Sequence, residues 1–310
     1  MTDLPPPPPA DEPPPRPPFR RTTTAAWLRL LRPLTTLTMA LTGAALCLTA
    51  TEGGAEWHAV LRYTLAIGLL SAAAAVSNDL ADREHDSRTR IWRPLPAGRV
   101  SIRAAVVAVV VFGVGALALS GSLGWRPLAI TAAMAAAAIG YSGVHTSSSA
   151  RTALRGSFFG WAPFALIGVL LPVGAAEAVD AQIDQLWWAV PVGAATGIAT
   201  FLIYKLPDYE RDDFDGVRSI LHWVGIDVAL PLSWAALAAA LTLSAASVNV
   251  ADGNLAWVIA PLVYLLVVGL GCIGMLWMQV SERRLTWQRW LLVPGLAALL
   301  VCWLGAMAVA

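Results

Sequence analysis

The chain has 310 residues, 57% hydrophobic and only 13% charged, with a formal net charge of +1. An ordinary soluble domain carries charge on about a quarter of its residues, so that class is excluded. The balanced charge gives no reason to expect a nucleic-acid partner. The three cysteines, scattered through apolar runs, have neither a metal-binding nor a disulfide spacing.

Residues 1–19 hold ten prolines. Such a segment cannot form a helix and has little to bury, so a solvated, disordered tail is expected over 1–24. It lacks the apolar stretch of a signal peptide. The rest, 25–310, is expected to be one transmembrane domain. Apolar runs near twenty residues recur through it, at about 34–51, 58–78, 102–120, 127–145, 157–174, 186–206, 220–245, 255–279 and 289–309. Backbone amides in lipid must be satisfied internally, so each run is expected to be a helix. The expected fold is an all-α membrane protein, a bundle of about nine transmembrane helices with a cytoplasm-facing cavity.

Nine spans place 19 of the 21 basic residues on one side, leaving Arg62 and Arg126 opposite. Basic loops stay in the cytoplasm, which puts the N-terminus there and the C-terminus across a cell membrane.

The second span ends in Asn78, Asp79, Asp82 and Asp86, and a loop with Arg88, Arg93 and Arg99 follows. The sixth ends in Tyr204, Lys205, Asp208, Glu210, Asp212, Asp213 and Asp215. With Glu84, the two segments hold nine of the twenty acids, and both are expected on the cytoplasmic face. Spacings of three and four align Asp79, Asp82 and Asp86, and likewise Asp208, Asp212 and Asp215, as helical stripes. Like charges stacked this way repel, unless cations lie between them. Carboxylate and amide oxygens suit magnesium, which takes one or two carboxylates and leaves positions for phosphate. Two facing stripes can hold two magnesium ions with a diphosphate between them. Lys205, the only lysine, would complete the charge balance together with arginines. The plain alternative for each acidic segment is a solvated helix cap.

At these residues the chain resembles the UbiA superfamily of intramembrane prenyltransferases. Its first motif, N-D-x-x-D-x-x-x-D, is met by Asn78, Asp79, Asp82 and Asp86. Its second is met by Tyr204, Asp208, Glu210, Asp212, Gly216 and Ser219. Between them Arg93, Pro94, Leu95, Gly98, Val100 and Ser101 fit a further element, and "WLRLLRP" from Trp27 to Pro33 is similar to the family's opening. Many members carry a lysine after the fourth span, shortly beyond a Tyr-Ser pair. Tyr141 and Ser142 are present here, but the candidates beyond them are Arg151 and Arg155.

The resemblance implies magnesium-dependent transfer of a prenyl group from a prenyl diphosphate to a small acceptor, aromatic or a quinone precursor, within membrane lipid. Asn78, Asp79, Asp82, Asp86, Asp208 and Asp212 are then the expected metal ligands. Arg88, Arg93, Arg99, Lys205, Arg151 and Arg155 are the candidate diphosphate contacts. Asp82, Asp208, Lys205 and Tyr204 are expected at the reacting bond. Tyr141 and Tyr204 would line the cavity, where aromatic faces favour a cation. Asp227, near the start of the seventh span, is a candidate for orienting the acceptor. Three other readings stay open: a related terpene cyclase, transfer to a sugar or glycerol phosphate, and a transporter or lipid-binding scaffold.

Overall fold

The computed structural model describes residues 23–142, 157–214, 218–278 and 280–309. Among these residues every regular element is a helix. In chain order they are α1 (Thr23–Leu31), α2 (Pro33–Ala50), α3 (Trp57–Ala81), α4 (Arg83–Thr89), α5 (Ile102–Gly121), α6 (Trp125–Ser142), α7 (Ala162–Ala178), α8 (Ala189–Lys205), α9 (Tyr209–Phe214), α10 (Ile220–Val224), α11 (Ile226–Val250), α12 (Ala256–Met278) and α13 (Glu282–Ala308). Short 3-10 turns lead into α8 and join it to α9.

Long helices lie over all nine expected spans. Among the described residues seven helices are long and apolar enough to cross a membrane; α6 and α7 are not among them. At about 1.5 Å per residue, the 25 residues of α3 reach beyond a hydrocarbon core of about 30 Å. Prolines inside α7, α11, α12 and α13 do not end those helices. Neighbouring helices in a membrane bundle compensate the missing hydrogen bonds.

Three boundaries differ from expectation. The expected tail to residue 24 overlaps α1, which begins at Thr23; residues 1–22 lie outside the described set. The seventh span is split at Gly225, whose φ of 80° cannot continue a helix, so α10 precedes α11 as a separate turn. The last helix starts at Glu282, capped by the Ser281 hydroxyl accepting from the Arg284 amide at 3.4 Å. Arg283, Arg284 and Arg289 therefore sit on α13.

Helices α5 and α12 expose rows of aliphatic side chains, including Val107, Val111 and Val114 on one and Val263, Val267 and Leu270 on the other. Such faces suit lipid rather than water. Trp57, Trp125 and Trp187 are exposed where α3, α6 and α8 begin, the end opposite the acids. This is the placement of interfacial tryptophans. The largest cluster of buried apolar residues also lies toward that end, around Leu46, Tyr63, Ile67, Leu171 and Trp303. There α7 and α8 approach closely through Gly168, Gly193 and Gly197. A Cβ on Gly197 would lie 2.1 Å from the Phe164 carbonyl oxygen.

Candidate functional site

The acids stand around one cavity of about 1000 Å³. Its wall includes Asn78, Asp79 and Asp82 from the end of α3 and Asp208 and Asp212 from the region after α8. Asp82 lies between α3 and α4, yet helical hydrogen bonds run through it: Asp82 N to Asn78 O at 3.0 Å and Asp86 N to Asp82 O at 2.8 Å. The first stripe therefore keeps its helical register. The second does not lie on one helix. Pro207 has no N–H to continue α8, and Leu206–Asp208 tighten into a 3-10 turn before α9. His222 of α10 steadies this segment, stacking on Tyr209 at 4.5 Å and bonding the Tyr209 carbonyl at 2.9 Å. Asp215 and Gly216 lie outside the described residues.

Basic side chains meet the acids pair by pair. The Arg32 guanidinium donates to Asp79 at 2.6 Å. Arg93 donates to Asp86 at 2.6 Å and stands 3.5 Å from Asp79. Lys205, itself buried, donates to Asp212. Arg289 lies 3.9 Å from Asp208 and 5.1 Å above the Tyr204 ring. Asn78 donates to Asp82 at 3.2 Å. Burial works against the charge on Arg32, but Asp79, Tyr204 and Asp82 together outweigh it and hold its pKa above the usual arginine value. Burial pushes the Asp86 carboxyl up, partly offset by Arg93.

Tyr141 and Tyr204 line the cavity beneath the acids, with Phe164 between them. Phe164 meets Tyr141 edge-on at 5.1 Å and Tyr204 at 6.3 Å. Deeper walls are mostly small or aliphatic: Ala74, Ala75, Ala138, Gly168, Gly197 and Ala297.

The structure sorts the expected site residues. Asn78, Asp79, Asp82, Arg93, Tyr141, Tyr204, Lys205, Asp208 and Asp212 share the cavity wall. Asp86 is not on that wall; it is 1% exposed and grips Arg93 from behind. Arg99 and Asp227 are not on the wall either, and Asp227 is exposed in the first turn of α11. Arg88 is on α4 with its side chain outside the described residues, and Arg151 and Arg155 are outside them altogether. Arg29, Arg32, Arg90 and Arg289 also line the cavity and were not among the expected site residues. The signal for Arg32 was its place in the "WLRLLRP" opening; Arg289 had none beyond its charge.

Among the described residues no three acids, histidines or cysteines form a ready-made metal cluster. The donor set still fits magnesium: hard oxygen atoms from two chain segments face one cavity beside cations suited to phosphate.

Together the fold and the site define a helical membrane protein with paired acidic segments over an internal apolar cavity. The model of the UbiA prenyltransferase family matches residues 36–296, and the chain belongs to that family. It is 28% identical over 195 residues to a 4-hydroxybenzoate octaprenyltransferase of Vibrio vulnificus, covering 62% of this chain and 66% of that one. It is 32% identical over 163 residues to a protoheme IX farnesyltransferase of Marinobacter nauticus, covering 51% of each chain. The chain thus spans about half to two-thirds of the length of these relatives. Its fold resembles a UbiA homologue from Archaeoglobus fulgidus bound to GPP and Mg2+, with a TM-score of 0.69 at 21% identity, covering 92% of this chain and all of that one.

Proposed function

We propose that this protein transfers a prenyl group from a prenyl diphosphate to a small acceptor bearing an aromatic ring. One observation carries the reading. Both acidic segments and their basic partners line the top of a single cavity that continues downward between apolar helices. A diphosphate suits the charged rim, and an isoprenoid tail suits the walls below. The names of the two relatives and the GPP bound to the solved homologue support the same reaction class.

Asn78, Asp79, Asp82, Asp208 and Asp212 would hold magnesium, in keeping with the Mg2+ of the homologue, and two ions would balance the two segments. When bound, magnesium neutralises the negative charge that builds on the departing diphosphate. Lys205, Arg93, Arg32 and Arg289 face the same charge from the protein. Asp86 acts behind the wall, orienting Arg93. As the allylic C–O bond breaks, its electron pair leaves with the diphosphate and a cation remains on the prenyl carbon. Tyr141, Phe164 and Tyr204 present ring faces and edges at this depth, and ring faces stabilise such a cation. The packed helices below exclude water until the acceptor ring carbon supplies electrons for the new bond; that carbon then loses its proton, through the open rim to solvent, and the ring regains its aromaticity. The acids face the cytoplasm in this reading, with the N-terminus on that side.

Asp82→Ala and Asp208→Ala should each lower diphosphate release at least a hundredfold or so while the protein stays folded. Release would be followed with excess prenyl diphosphate, magnesium and a panel of aromatic acceptors. Near-normal turnover in either variant, or full turnover in excess chelator, would overturn the site.

A further inference from the structure

The depth of the cavity can be read along four helices. On α3 its wall runs from Asp79 through Ala75 to Ser71, eight residues, or about 12 Å at the helical rise. On α8 it runs from Lys205 through Thr200 to Thr196, nine residues and about 14 Å. On α2, from its start at Pro33 just after Arg32, it runs through Met39 to Thr42, about 14 Å. On α13 it runs from Arg289 through Val293 and Ala297 to Leu300, eleven residues and about 16 Å. The four estimates bracket a depth of about 12 to 16 Å.

Directly beyond that level lies packed core. Leu171 and Leu300 form part of both the cavity wall and the core containing Leu46, Tyr63 and Ile67. Tyr63 is fully buried, and its hydroxyl donates to the Leu171 carbonyl at 3.0 Å. A Cβ on Gly174 would come within 2.6 Å of that hydroxyl, so the packing beside Tyr63 leaves no room even for a methyl group. Above the floor the wall is lined by Ala75, Ala138 and Ala297, which leave room for one.

We propose that this floor, made by Thr42, Leu171, Thr196 and Leu300, measures the prenyl tail and selects one of about three isoprene units, a C15 diphosphate. The inference rests on the prenyl-transfer reading above. Carbon–carbon bonds of about 1.5 Å make each four-bond isoprene repeat about 5 Å long when extended. Three repeats, about 15 Å, therefore reach from the charged rim to the floor. A tail of eight units would extend about 40 Å, beyond the roughly 30 Å apolar thickness of a bilayer, and would have to leave sideways between helices.

The test is calorimetric titration of the full chain in lipid nanodiscs with geranyl, farnesyl and geranylgeranyl diphosphate, with and without magnesium. Farnesyl should bind about tenfold more tightly than geranyl, and geranylgeranyl should gain nothing more. Ala297→Leu fills open space about one turn above the floor, where the third unit would lie, and should reverse the order of the first two. Leu300→Ala lowers the floor and should let the fourth unit add affinity. Because Leu300→Ala also hollows the core, Ala297→Leu is the deciding variant. Affinity that keeps rising through geranylgeranyl in the unaltered chain, or an order untouched by Ala297→Leu, overturns the measuring floor alone. Absence of magnesium-dependent binding for all three ligands overturns the prenyl-transfer reading and this inference with it.

Discussion

Arg32 joins α1 to α2 in a left-handed backbone conformation, φ 48° and ψ 63°, which costs a non-glycine residue about 1 kcal/mol or more. Pro33 directly after it opens α2, and the strained turn sets the guanidinium against Asp79. Backbone and side chain can be separated by substitution. Arg32→Gly should unfold at a higher temperature than Arg32→Ala, by about 1 kcal/mol of stability, because glycine tolerates the turn. Both variants should lose prenyl-diphosphate turnover alike. Equal stability of the two would show that the turn carries no strain. The acids of the site were legible because their meaning lies in local spacing: Asp79, Asp82 and Asp86 announce a stripe before any fold is known. Which acids Arg32 and Arg289 meet was not legible, because each partner lies far away in the chain, Arg32 meeting Asp79 across 47 positions. Asp227 was misleading in the opposite way, since a lone acid near a span start reads equally as a buried group or a wet helix end.

Gly193 and Gly197 on α8, facing Gly168 on α7, let two backbones approach to a distance that no side chain permits. Gly168 and Gly197 also line the cavity, so this contact shapes the chamber as well as the bundle. Gly197→Ala should cost about 3 kcal/mol, because the obstructing Phe164 carbonyl belongs to the backbone and cannot rotate away. Thermal unfolding in detergent would measure it, and an unchanged midpoint would mean that the helices slide apart freely. Positions of the long helices were legible from hydropathy because lipid tolerates little else. The breaks were harder. Pro207 and Gly225 both stood in the sequence as punctuation, yet the regular spacing of acids around one and apolar residues around the other suggested unbroken helices. Proline's missing donor and glycine's positive φ prevailed over both patterns.

The bias of basic residues to one side gives an expected orientation for the whole molecule. A reporter that matures only outside the cytoplasm should be active when fused after Ala310 and silent when fused before Met1, and the reverse result would invert the assignment. The two acidic segments, Arg29, Arg32, Arg90, Arg93, Arg289 and Lys205 gather at one end, while the Tyr63–Trp303 core occupies the other. Chemistry and mechanical stability are thus housed at opposite ends. Arg32 with Asp79, Arg93 with Asp86 and Lys205 with Asp212 already balance much of the acid end internally. The consequence is practical. A zinc finger collapses when its metal is stripped, because its fold has no other source of cohesion. This protein should instead survive stripping intact. A preparation washed free of divalent ions would look healthy by every test of shape, and only its turnover would betray the loss.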